Sequence, residues 1–100
     1  MLIHSVYFWL KTDLTPSERA HFRAEVKKLS GIKTVDRIYV GGPASIEERS
    51  VTDRSFDIAL TLLFRDGPAH DAYQVDPLHL AFVAGNKDSW TKVLIYDSEE

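Results

Sequence analysis

Leu2-Ile3-His4-Ser5-Val6-Tyr7-Phe8-Trp9-Leu10 opens the chain with a period of two. Leu2, His4, Val6, Phe8 and Leu10 fall on one side of an extended segment, and Ile3, Ser5, Tyr7 and Trp9 on the other, because successive side chains of a strand point to opposite faces. The aromatic and β-branched content predicts a strand. Both of its sides are largely apolar, so both faces of the sheet it belongs to need cover. His4 falls in phase with the core set, and a buried imidazole needs a polar partner. The best-placed partners are Tyr73 and His79, either side of Pro77 in Tyr73-Gln74-Val75-Asp76-Pro77-Leu78-His79.

Thr15-Pro16-Ser17-Glu18 predicts a helix start, with Thr15 as N-cap, Pro16 in the first turn and Glu18 closing a capping box. Phe22, Val26 and Leu29 give that helix one apolar stripe, and Gly31 is its predicted stop. Val35 to Val40 reads as a second strand ended by Gly41-Gly42-Pro43, followed by a polar loop over 44–54. Phe56, Ile58, Leu60, Leu62 and Phe64 form the cleanest alternation in the chain and predict a third strand. A short helix over 68–75, a second helical piece from Pro77 to about Gly85, and a strand over 93–96 complete it.

The order β-α-β-β-α-β is the split βαβ, ferredoxin-like arrangement of the α+β class, with two helices on one face of a four-stranded antiparallel sheet. The other face carries Tyr7, Trp9, Leu63, Leu94 and Tyr96, with Ala59 and Thr61 between them. A soluble monomer rarely exposes so large an apolar patch, so a homodimer is expected, its two sheets facing each other in an α+β barrel.

The 100 residues fit one domain, over 1–100, of 44% hydrophobic and 27% charged composition. A net charge of −3 disfavours nucleic acid and anionic membranes as partners. The basic cluster Arg23, Lys27 and Lys28 sits among Glu18 and Glu25 and reads as a solvated helix face. With no cysteine, disulfides and thiolate chemistry are excluded. The apolar start lacks a basic leader region and a cleavage pattern and falls short of the roughly 20 residues of a membrane span, so a cytoplasmic protein is expected. His21 reads as exposed, His70 as part of a polar turn, and Trp9 and Trp90 as packing anchors. Asp76, His79 and His4 lack a clustered ligand signature, so neither a metal nor another cofactor is expected.

A histidine–tyrosine pair facing a second histidine suits acid–base chemistry, since imidazole titrates near neutrality and a phenol can donate to a developing oxyanion. The same residues also read as a core histidine satisfied by a hydroxyl or the backbone. Apolar surroundings would lower the His79 pKa and Asp76 would raise it, and the sequence leaves the balance open. The expected pocket is enclosed by Val6, Phe8, Phe22, Val26, Leu60, Leu62 and Phe82.

The run from His4 to Lys11, the Thr15-Pro16-x-Glu18 helix start, Gly41-Gly42 and Tyr73-Gln-Val-Asp-Pro77-Leu-His79 together resemble the stress-responsive dimeric α+β barrel family, from about His4 to Asp97 and including Trp90. The resemblance implies a ferredoxin-like fold and a homodimer. The family's plant polyketide cyclase, which makes olivetolic acid by an intramolecular aldol condensation, has a tyrosine and a histidine matching Tyr73 and His79, with a histidine matching His4 in support. A further pocket tyrosine of that enzyme is matched here by Val26, and Asp76 stands where the family often has histidine. The resemblance implies a cofactor-free cyclase or lyase acting on a small carbonyl compound, with His79 as base, Tyr73 as donor to the enolate oxygen and His4 as an orienting group. The alternative is a non-catalytic, stress-related ligand-binding or assembly protein. A monooxygenase-like barrel ranks third, because Asn86 lies late in the chain whereas the haem-degrading pattern has its asparagine on the first strand.

Overall fold

The computed structural model describes residues 1–100. Its elements are β1 (Leu2–Leu10), α1 (Pro16–Lys27), β2 (Arg37–Gly41), β3 (Ile58–Phe64), α2 (Gly67–Gln74), α3 (Pro77–Asn86) and β4 (Trp90–Glu99). One antiparallel sheet runs β2-β3-β1-β4, with the helices on one face: the ferredoxin-like fold of the sequence reading.

The register carries the alternation of β1 across the sheet. His4 lies opposite Leu62 on β3, and Val6 opposite Leu60 on β3 and Ile95 on β4. Directly opposed residues share a face, so these point toward the helices. Ile3, Tyr7 and Trp9 share the outer face with Leu63, Leu94 and Tyr96. Tyr39, opposite Thr61, extends that apolar surface onto β2.

Thr15 and Glu18 form the expected reciprocal capping box. The first helix stops earlier than Gly31: α1 ends at Lys27 and passes into a 3-10 turn over Lys28–Gly31, which still buries Leu29. The second strand starts later than Val35, at Arg37. β4 runs well past the apolar stretch 93–96, because a strand hydrogen-bonded along the length of β1 needs no apolar side chains at its ends; Asp97 and Glu99 lie opposite His4 and Leu2.

Phe56 departs from its expected place in the core. The period breaks at Asp57, which accepts from the Leu10 N–H at 2.7 Å and receives Arg19 at 3.3 Å. Phe56 is thereby turned to the outer face, its ring 5.0 Å from that of Tyr7. Phe8, Phe22, Phe82 and Trp90 form the aromatic centre beneath the helices. No helix is long and apolar enough to cross a membrane.

Candidate functional site

Between the helix-side face of β1 and β4 and the helices α2 and α3 lies a pocket of about 290 Å³. Its walls include Val6, Phe8, Leu60, Phe82, Val83, Trp90 and Ile95, and its polar groups are His4, Tyr73, Gln74 and His79. Ile95 remains 48% exposed although it points to this side of the sheet, which places the mouth along β4. Of the expected lining residues, Val6, Phe8, Leu60 and Phe82 belong to the pocket. Phe22, Val26 and Leu62 do not: they are fully buried in the core, where the apolar stripe of α1 meets the sheet and close packing leaves no void.

Tyr73 and His79 are brought together by the break between α2 and α3. Pro77 cannot continue α2, and Asp76, held extended before it, caps α3 by accepting from the Leu78 N–H at 2.9 Å. The chain thus restarts with His79 beside Tyr73, ring centroids 4.6 Å apart. His4 packs edge-on to Tyr73 at 6.0 Å.

His4 bonds to neither of its expected partners, whereas His79 is satisfied by the backbone, one of the alternatives left open by the sequence. His79 Nδ1 lies 3.0 Å from the Gln74 carbonyl oxygen, rather than bonding to Tyr73 or His4. A carbonyl only accepts, so Nδ1 carries the proton and Nε2 is left as an acceptor. Burial lowers the His79 pKa from its ordinary value, outweighing the Gln74 hydrogen bond and the nearby Asp76 carboxylate, which raise it. The ring is therefore neutral near pH 7. Burial pushes the Tyr73 hydroxyl far up, so it remains a donor at any ordinary pH. The site's side-chain hydrogen bonds are His4–Asp97, Gln74–His70 and the His79–Gln74 contact, and none engages that hydroxyl.

His4 pairs with Asp97 at 2.5 Å, its Nδ1 facing the carboxylate. His70, read from sequence as part of a polar turn, lies on α2 with its ring 4.9 Å from that of His4. Asp97 carried no sequence signal, being 93 positions from its partner. His21 is exposed, as expected. Asn86 is buried and donates to the Phe82 carbonyl at 2.9 Å, a bond internal to α3.

The profile of the stress-responsive A/B barrel domain family matches residues 2–100. The chain belongs to this family. A family member from Mesorhizobium loti with a ferredoxin-like fold superposes on this A/B barrel domain with TM-score 0.81 at 25% identity, covering 99% of this chain and 95% of that one. A hydroxynitrile lyase from Passiflora edulis gives 0.80 at 17% identity, over 97% and 90%. A dimeric protein of ferredoxin-like fold from Bacteroides fragilis gives 0.76 at 21% identity, over 99% and 95%. No curated protein sequence matches the chain significantly.

Proposed function

We propose that this A/B barrel domain is a cofactor-independent lyase or cyclase that removes a proton α to the carbonyl of a small, largely apolar compound, working as a homodimer with one pocket per protomer. The observation that carries this reading is the His79–Gln74 bond, which fixes the imidazole with Nε2 free to take a proton. In the proposed step, Nε2 accepts the α-proton, and the C–H electron pair moves through the carbon to the carbonyl oxygen. The Tyr73 hydroxyl donates to that oxygen as it gains charge. The enolate carbon then attacks a second carbonyl of the same molecule, and His79 returns the proton to the new alkoxide. Running the addition backward cleaves a carbon–carbon bond, the sense of a lyase. The Passiflora edulis neighbour, a hydroxynitrile lyase, fits this class. The pocket is close to the smallest size usual for ligand sites, roughly 300 Å³, which favours small substrates.

Deuterium exchange tests the first step without knowledge of the product. Small β-diketones and aryl methyl ketones are incubated with the protein in D2O, and loss of the α-proton signal is followed by NMR. Enhanced exchange that disappears in His79→Ala supports the reading. A ligand that quenches Trp90, in the pocket wall, with no exchange would favour the binding protein instead. Neither exchange nor quenching across the panel refutes both.

A further inference from the structure

Beside the pocket, and unused by the proposed step, three side chains from three elements converge. His4 on β1, His70 on α2 and Asp97 on β4 each offer a ligand atom, and these atoms all lie within 4.8 Å of one another. The two imidazoles have centroids 4.9 Å apart and planes inclined by 57°. Zinc–nitrogen bonds of about 2.0–2.1 Å put two imidazoles on one tetrahedral ion with centroids roughly 5 Å apart, so the rings already have the required separation. Neighbouring ligand atoms on such an ion stand about 3.3 Å apart. Asp97 Oδ1, now 2.5 Å from His4 Nδ1, would withdraw by less than about 1 Å to admit it. The side chain is 46% exposed, with solvent rather than packed protein on its open side.

A second observation points the same way. The Asp71 carboxylate lies 3.2 Å from His70 Nδ1, the carboxylate–histidine arrangement that orients metal-bound imidazoles and raises their basicity. It leaves His70 Nε2 as the ligand atom. The Gln74 amide nitrogen stands 3.2 Å from that Nε2. It must swing aside for an ion, or turn its carbonyl oxygen toward it.

We propose that His4, His70 and Asp97 bind one divalent transition-metal ion of the zinc class, with Asp71 orienting His70 and a fourth position open. His4 lines the pocket whereas His70 and Asp97 do not, so the ion sits at the pocket's end and ties β1, α2 and β4 together.

The test is direct binding, whose outcome does not depend on turnover at His79. Protein treated with EDTA and dialysed is titrated with ZnCl2 by calorimetry, and with CoCl2 by visible absorption. The expected result is one ion per chain, intense visible bands for cobalt, and a melting temperature raised by zinc. His70→Ala and Asp97→Asn should each weaken zinc at least about tenfold, and Asp71→Asn about tenfold, the lower end for an outer-shell partner. His21→Ala, on α1 and outside the cluster, should bind as the wild type does. Where His70→Ala does not fold by circular dichroism, His70→Gln replaces it. Absence of stoichiometric binding overturns the site, as does zinc binding untouched by the His70 and Asp97 changes.

Discussion

With Nδ1–H donating to the Gln74 carbonyl and burial holding its pKa below the ordinary value, the base role proposed for His79 belongs to the neutral ring. Exchange or turnover should therefore be flat at neutral and alkaline pH and fall as pH drops through the lowered pKa. NMR titration of the His79 ring should place that pKa below the ordinary 6.5, and an inflection of the rate elsewhere would exclude it as the base. Stability has the same sign. Below the ordinary value the unfolded chain binds the proton before the folded one, so this contribution to stability is lost as pH falls toward the folded pKa. Tyr73→Phe separates donor from packing. Removal of one oxyanion donor typically costs about 100-fold or more in rate. The Tyr73 hydroxyl lacks a protein partner, so its loss should leave the melting temperature unchanged or slightly raised. A rate equal to the wild type would make the tyrosine purely structural. His4, Tyr73 and His79 were legible because strand phase and a proline-marked restart are local signals. The His4–Asp97 pair and the approach of His70 were not, since contacts across 93 positions leave no spacing to read.

Among the elements, the start of β3 does more than extend the sheet. Asp57 accepts from the Leu10 N–H and receives Arg19 of α1, while Arg19 also donates to the Lys11 carbonyl at 2.9 Å. One carboxylate thus fastens the end of β1 to the beginning of α1. Asp57→Ala should destabilise the fold by about 2 kcal/mol, since a backbone donor at a buried residue loses its partner. Urea denaturation checks this, with Asp57→Asn, which keeps an acceptor oxygen, expected to lose less. A loss within experimental error for Asp57→Ala would show that water replaces the carboxylate. The same residue explains why the apolar alternation misplaced Phe56: a period of two describes side-chain phase only while the strand continues. It explains as well why the end of β4 escaped notice, where pairing with β1 rather than hydrophobicity holds polar residues extended. Helix starts, by contrast, were readable almost to the residue. Thr15, Pro16 and Glu18 state their cap chemistry within four positions, and Pro77 marks the start of α3.

At the scale of the whole molecule, the two faces of the sheet divide the labour. The helix-side face builds the core and the pocket. The outer face presents Tyr7, Trp9, Phe56, Leu94 and Tyr96 around an apolar groove of about 270 Å³, with Tyr39 exposed nearby and Ile3 at the margin. Water against so much apolar surface is unfavourable, at roughly 25 cal/mol per Å², and a second copy presents the same aromatic surface in return. The expected dimer buries more than about 1,200 Å² in total, the lower bound for a stable specific interface. Sedimentation equilibrium at micromolar concentration should give twice the chain mass. A monomer there would refute the pairing. Trp9→Glu is the sharper test, because Trp9 lies on the expected interface while the polar partners of its side chain are the Ser55 hydroxyl at 3.0 Å and the Lys92 ammonium over its ring. The glutamate can still meet Lys92 on the neighbouring strand, so the chain should stay folded. In the dimer that carboxylate would be carried into an apolar interface, a cost of several kcal/mol for each buried charge without a close partner. The variant should therefore sediment as a folded monomer, with the pocket on the opposite face of the sheet left intact.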